Sequence, residues 1–531
     1  MTETEFKKLL WDAAVKLRGS LSAAEYKYPV LGLVFLKYVS DVFEAQADVI
    51  RAKAADPSSD HYVEDPALRL ELVAEWTQDR SFYEADNVFW IPEDSRYVGL
   101  LAQGKSANIA NILDTAMAAI EAENPKLRGV LYRDFGRLAI DAGRIGDLLV
   151  IIGKMKFNAT EHGSRDVFGE VYEYFLGNFA LEEGQKAGQF YTPRSVVQTL
   201  VEVLAPFEGR IYDPCCGSGG MFVFSERFIE AHGGQKGQAV IYGQEMTATT
   251  RKLACMNLAI RGIDYDMGRE YGDTFTNDQH PDLRADYILA NPPFNMEWDA
   301  KAVAQDRRWV YGVPPAKNAN YAWLQHIVSK LSTNGRAGVV LANGSMSSSQ
   351  SGEGVIRQAM LKDDIVECMV ALPGQLFTNT QIPACLWFLS KNKGVGKNGS
   401  VGRQGHVLFI DARKMGSVQI NRTQVALSDE EIQKIAQAYH NWRGTIWGKN
   451  GYEDILGFCK SVTLDEIAKH GYVLTPGRYV GAAAQEDDGE PFEEKMARLV
   501  VTLREQQGEA SKLDASIATN LRELGFWSGA A

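Results

Sequence analysis

Six cysteines in 531 residues, with no Cys-x-x-Cys pair among them, set the first exclusion. Cys215 and Cys216 are adjacent, while Cys255, Cys368, Cys385 and Cys459 stand apart. That usage fits reduced thiols in a cytoplasmic protein rather than a disulfide framework or a zinc site. The eight histidines include no His-Glu-x-x-His helix, so no metal site is expected. Long apolar runs are missing too: no stretch approaches the roughly eighteen consecutive apolar residues of a membrane span. The opening MTETEFKKLL lacks the basic end and apolar core of an export signal, so neither export nor a membrane location is expected. Positive charge is also in deficit, with 56 Lys and Arg against 68 Asp and Glu and a net charge of -12. That sign excludes a protein that grips nucleic acid through its whole surface; any DNA contact must be local or shared with a partner.

What is present is ordinary globular protein, 45 % hydrophobic and 23 % charged, with room for about three domains. To roughly residue 155 the periodicity is helical. It is clearest in PVLGLVFLKYVSDVFEA, where Leu31, Val34, Phe35, Tyr38 and Val42 fall on one face and Pro29 is expected in the first turn. After residue 165 short apolar runs alternate with amphipathic stretches. The candidate strands are 210–213, 239–245, 285–290, 337–343, 365–372 and 384–390, with 407–413 a further element and a helix over 427–442. Such alternation predicts an α/β fold, a doubly wound, mostly parallel, Rossmann-like sheet with its ligand site at the carboxyl ends of the strands. AAAQEDDGEP (482–491) reads as a linker before a helical tail. The predicted domains are therefore helical 1–155, α/β 156–482, and linker with helix 483–531.

The run YDPCCGSGG puts Asp213 at a strand end and Gly217, Ser218, Gly219 and Gly220 at the turn into a helix. Glycines there let a ligand come close to the backbone. A carboxylate at Asp213 repels a pyrophosphate but suits a cationic ligand, and no Lys-Ser/Thr follows as in a P-loop. Glu245, thirty-two residues on, ends the next strand and can hold two ribose hydroxyls, while Asp273 in YGDTF can accept from an adenine amine. Taken in series, the three acids read as a nucleoside site. ADYILA then runs into Asn291, Pro292, Pro293 and Phe294. The prolines donate no backbone hydrogen bond and hold Asn291 out of helical conformation, which makes NPPF a rigid extended loop. It fixes two acceptors, the Asn291 side-chain oxygen and a proline carbonyl, about a planar amino group, with Phe294 as a face for a base pulled from its duplex.

At these residues the chain resembles S-adenosylmethionine-dependent adenine methyltransferases of DNA, specifically the modification (HsdM-like) subunits of type I restriction-modification systems. NPPF is similar to that family's catalytic tetrapeptide and DPCCGSGG to its methionine-binding turn. GQFYTPRSVV (188–197) resembles its additional cofactor motif, which implies that Phe190, Tyr191, Thr192 and Pro193 line the methionine end of the cofactor. The likeness extends to LWDAAVKLRGS near the start and LTPGRYVG (474–481) near the end. It implies in-line transfer of a sulfonium methyl group to the 6-amino group of a flipped adenine, with no metal needed because the donor is already activated. It also implies partners: a specificity subunit that reads the sequence of double-stranded DNA, two modification subunits for each of these, and a restriction subunit carrying nuclease and translocase.

Rival readings are a self-contained DNA methyltransferase, a methyltransferase of glutamine amides in proteins, and an inactive scaffold. The tail bears on the choice. Phe492, Met496, Leu499 and Leu503, then Ala510, Leu513, Ile517, Leu521 and Leu524, recur at near-heptad spacing broken by Gln506 and Gly508. That stripe predicts a long helix that docks a partner.

Overall fold

The computed structural model describes residues 23–138, 140–155, 192–235, 237–377, 382–395, 400–482 and 492–524. The apolar runs become strands: β1 (Gly209–Asp213), β2 (Ala239–Gly243), β3 (Tyr265–Asp266), β4 (Ala285–Ala290), β5 (Leu331–Ala342), β6 (Val366–Ala371), β7 (Ala384–Ser390), β8 (His406–Asp411), β9 (Val418–Asn421), β10 (Gln424–Ala426) and β11 (Cys459–Thr463). Nine join one sheet in the order β11-β8-β6-β7-β5-β4-β1-β2-β3, while β9 and β10 pair separately. From β3 to β5 the strands are parallel; β7 is antiparallel between β5 and β6, and β11 is antiparallel to β8.

The parallel half needs crossovers, and the amphipathic stretches supply them as helices Gly220–Ala231, Ala248–Ile260 and Asn320–Lys330. Covered on both sides, β6 and β7 are buried at every residue, which is why they read as unbroken apolar runs. Strand order reverses at β1, whose neighbours are β2 on one edge and β4 on the other, with Tyr212 opposite Ile288. Loops leaving the carboxyl ends of β1 and β4 diverge there and open a crevice.

Among the described residues up to 155 the regular structure is all helical, as expected. Pro29 departs from expectation. The helix Ala23–Ala55 begins upstream, so the proline lies inside it rather than in its first turn. It forfeits one intrahelical bond, and burial offsets the loss: from Pro29 to Ser40 every residue is buried, so this stretch is a central helix rather than one with a single apolar face. Four strands went unread in the sequence. β3 has two residues, β9 and β10 form a hairpin of one exposed and one half-buried strand, and β11 is a half-buried edge.

The helix Asp429–Arg443 closes over the sheet. Ser428 and Glu431 form a capping box at its start and Gly444, at φ 58°, ends it in left-handed conformation. Its inner face carries a buried polar cluster. The Glu367 and Arg443 side chains, each 1 % exposed, form an ion pair at 3.1 Å that is off hydrogen-bond alignment. The Tyr439 hydroxyl donates to Glu367 Oε2 at 2.7 Å, and Arg443 Nη1 donates to the Val401 and Lys393 carbonyls at 2.8 and 3.1 Å.

Residues 482–531 form a unit of their own. Its helix, Phe492–Glu523, leaves Leu499, Leu503, Leu513 and Ile517 exposed.

Arg443→Met removes the ion-pair partner of Glu367 and the donor to two carbonyls, and is expected to destabilise the fold by about 3–5 kcal/mol, read as a lowered urea midpoint; an unchanged midpoint would show that the Arg336 charge and the Tyr439 hydroxyl, which also meet Glu367, suffice.

Candidate functional site

The turn after β1 is built by backbone requirements. Gly217 and Gly219 have φ of 55° and 81°, conformations that L side chains rarely adopt. Around Gly217 there is open space where a Cβ would stand, so the backbone is exposed to a ligand. Ser218 lies between them with its carbonyl accepting from Asn257 Nδ2 at 2.8 Å. Cys216 N donates to the Gln244 carbonyl and Gln244 N to the Asp213 carbonyl, each at 3.0 Å, which laces this turn to the end of β2.

Asp213 is buried at the end of β1 and accepts from Cys215 N at 2.9 Å. Burial pushes its carboxyl up to about 7; the Cys215 bonds oppose the rise and the Glu245 charge adds to it. Burial also raises Glu245, against bonds from Thr247 and Gly217. One Glu245 oxygen accepts from Gly217 N at 3.1 Å and the other from Thr247 N at 3.0 Å. The Glu245 carbonyl accepts from Gly272 N at 3.0 Å, which brings Asp273 alongside. Asp273 Oδ1 in turn accepts from Phe275 N and Thr276 N, both at 2.9 Å, and so shapes its own turn. The three expected acids therefore meet at adjacent strand ends. Two unpaired carboxylates in low-dielectric surroundings gain from a cation, and with the open glycine backbone they fit a positively charged nucleoside cofactor.

At the exit of β4, Asn291 is half-buried and Pro292 buried. Asn291 Nδ2 donates to Thr192 Oγ1 at 2.7 Å, while Asn291 Oδ1 is buried without a partner. Phe294 is half-buried and meets the Phe377 ring edge-on, with centroids 5.7 Å apart. Asn295 then turns the chain at φ 52°. Its N–H donates to Asn320 Oδ1 at 3.2 Å and its Oδ1 accepts from Asn320 Nδ2 at 2.9 Å. Trp298 anchors the following segment by donating from Nε1 to the Pro315 carbonyl at 2.9 Å.

Of the expected residues, Thr192 lies against the Asn-Pro-Pro-Phe loop, and Pro193 caps the helix Arg194–Leu204 with its carbonyl. Phe190 and Tyr191 lie outside the described residues. Phe377 and Asn320 carry no local signal, since a single Phe in PGQLF and a single Asn at a helix start look like core and cap. Only the spacing-independent contact identifies them. For Asn295 a signal existed: Asn tolerates left-handed backbone, as a reversal after two prolines demands.

Known proteins resemble this chain over most of its length. A family model described as N-6 DNA Methylase matches residues 163–488, and one for the HsdM N-terminal domain matches residues 6–149. The HindI type I methylase subunit of Haemophilus influenzae is 50 % identical over 431 residues, 80 % of this chain and 94 % of that protein. The MjaIX type I methylase subunit of Methanocaldococcus jannaschii is 39 % identical, covering 98 % of this chain and 92 % of its own. Among solved structures, the methyltransferase subunit of a type I restriction-modification system from Streptococcus thermophilus superposes with a TM-score of 0.71 at 25 % identity, covering 90 % of this chain and 100 % of that one.

The raised Asp213 carboxyl makes a pH prediction. In the unfolded chain the group titrates near 3.8 and in the fold at about 7. The stability it contributes is thus full below pH 4 and is lost as pH rises through 7. Asp213→Asn removes that dependence, so its stability advantage over the parent, without ligand, should grow between pH 4 and 7 toward roughly 4 kcal/mol and then level off. Parallel denaturation curves at several pH values would contradict the shift.

Proposed function

The chain belongs to the N-6 DNA methylase family, as a modification subunit of type I restriction-modification systems, and from that premise we propose how its residues divide the work. The reaction is methylation of the exocyclic 6-amino group of adenine in DNA, with S-adenosylmethionine as donor. One observation carries the assignment of the reacting centre: Asn291 Oδ1, at the exit of β4 beside the switch point, is an acceptor shut away from water with nothing to accept. A buried acceptor without a donor is costly, and the N–H of an amino group presented there removes the cost.

Asn291 Oδ1 and the Pro292 carbonyl accept the two hydrogens of the amine. They hold its lone pair in line with the methyl group, and Pro293 keeps the loop stiff. Phe294 stacks on the flipped base, with Phe377 limiting its tilt. Asp213 faces the methionine end of the cofactor, Glu245 the ribose and Asp273 the adenine. With about four lone-pair sites on a carboxylate and bonds from Gly217 and Thr247 already made, Glu245 keeps capacity for the ribose. Gly217, Ser218 and Gly219 let the cofactor reach the backbone, and Phe190, Tyr191 and Pro193 line the methionine end together with the backbone and methyl group of Thr192, whose hydroxyl is taken up by Asn291. When bound, S-adenosylmethionine supplies a methyl group on a cationic sulfur, which is why the pocket is built of acids.

The division 1–155, 156–482 and 483–531 follows this work: a helical domain, a methyltransferase domain, and a linker with an assembly helix. Sequence reading falls to a specificity subunit joined by two modification subunits, and a restriction subunit shares the complex on duplex DNA. A net charge of -12 suits a catalyst that borrows its DNA grip. No helix among the described residues is long and apolar enough to cross a membrane, and we assign the work to the cytoplasm.

Asn291→Ala is expected to abolish methyl transfer while calorimetry finds cofactor affinity within a few-fold of the parent. Loss of cofactor binding instead would move the loop's role from target to cofactor. The exposed apolar stripe of the last helix supports docking on the specificity subunit, driven by apolar burial at about 25 cal/mol per Å². Deleting residues 489–531 should therefore spare cofactor binding and end co-purification with that subunit. Light scattering that finds the truncated chain still in the full complex refutes the docking role.

A further inference from the structure

An asparagine amide is nearly symmetrical in shape, yet its two ends have opposite chemistry, one accepting hydrogen bonds and the other donating them. For Asn291 the difference is decisive. With the oxygen toward the crevice, the site offers an acceptor to the target amine; turned over, it offers two N–H groups to a partner that also carries N–H.

What selects the orientation lies far away in the chain. Asn291 Nδ2 donates to Thr192 Oγ1 at 2.7 Å, across 99 residues of sequence, and Oδ1 is the end left buried and unpartnered. Thr192 is itself well held. Pro193 confines the residue before it to extended backbone, and the Pro193 carbonyl accepts from Val196 N at 3.0 Å and Val197 N at 3.1 Å, tying the segment to the start of the helix Arg194–Leu204. That helix is anchored by buried Val196, Val197, Leu200 and Val201. Threonine's branched Cβ restricts rotation about χ1, so the hydroxyl is presented from a stiff mount.

We propose that Thr192 is a positioning residue: its hydroxyl accepts from the Asn291 amide nitrogen and thereby fixes the amide oxygen toward the target amine. The inference rests on the function proposed above and sharpens it, because it assigns the Thr192 hydroxyl to the methyl acceptor's side of the site. Losing that hydroxyl should lower the rate of the chemical step and leave cofactor binding intact.

The test uses the full chain assembled with its specificity subunit on a duplex with one target site. Thr192→Val keeps the shape and removes the hydroxyl. Its kcat should fall about ten- to a hundredfold, with the cofactor dissociation constant by calorimetry and the melting midpoint unchanged. A fluorescent adenine analogue at the target position should still report flipping, since Phe294 is untouched. Thr192→Ser restores the hydroxyl and should recover most of the rate. If the valine variant melts early, Thr192→Ala gives the same readouts. Parental kcat in the valine variant, a fall in cofactor affinity that accounts for the lost rate, or failure of serine to rescue would each overturn the proposal. Asn291→Ala run in parallel separates the two levels: if it methylates normally, the assignment of the reacting centre fails, whereas an inactive Asn291→Ala beside a fully active Thr192→Val defeats the positioning role alone.

Discussion

The reversal of strand order at β1 is the constraint from which the site follows. Because β1 is flanked by β2 on one edge and β4 on the other, the loops leaving β1 and β4 cannot cover the same space, and a crevice stays open between them. Two opposite backbone devices border it. After β1 the glycines at 217 and 219 permit conformations that other residues avoid; after β4 the prolines at 292 and 293 forbid the conformations that other residues prefer. One wall can thus lie close to a ligand, and the other cannot yield to one.

Electrostatics distinguishes the two walls as well. Asp213 and Glu245 lie buried at neighbouring strand ends, where burial raises both carboxyls and the Glu245 charge adds to the rise at Asp213, so a cation relieves both. The β4 side has uncharged acceptors instead, suited to a neutral amine. In the reaction proposed above, these two walls sort a cationic donor and a neutral acceptor to opposite sides of the crevice.

What the sequence disclosed and what it hid follow from the same physics. YDPCCGSGG and NPPF were legible because their backbones demand particular residue types, and the long strands β4 to β8 were legible because burial on both faces leaves continuous apolar runs. β3, two residues long, has no room for a pattern, and the hairpin of β9 and β10 has no fully buried residue to write one. Pro29 misled because a proline's local preference for a helix start gave way to the burial of the helix around it. The partners of Asn291, Phe294 and Asn295, namely Thr192, Phe377 and Asn320, were illegible as partners, since side-chain pairing across the fold leaves no trace in spacing. Phe190 and Tyr191 remain known only through the motif they belong to.

The cluster beneath the helix Asp429–Arg443 also restricts how this protein can change over generations. Replacing Glu367 or Arg443 singly unbalances a buried cluster that also holds Tyr439 and draws in the charge of Arg336, whereas a change that exchanges the charged members together keeps it balanced. Each single step therefore passes through a poorly folded intermediate, and the two positions, on β6 and on a helix far along the chain, are locked to each other's history. Drift at this place is expected only as concerted replacement, so the identity of one of these residues in any descendant should forecast the other, although neither belongs to the loops after β1 and β4.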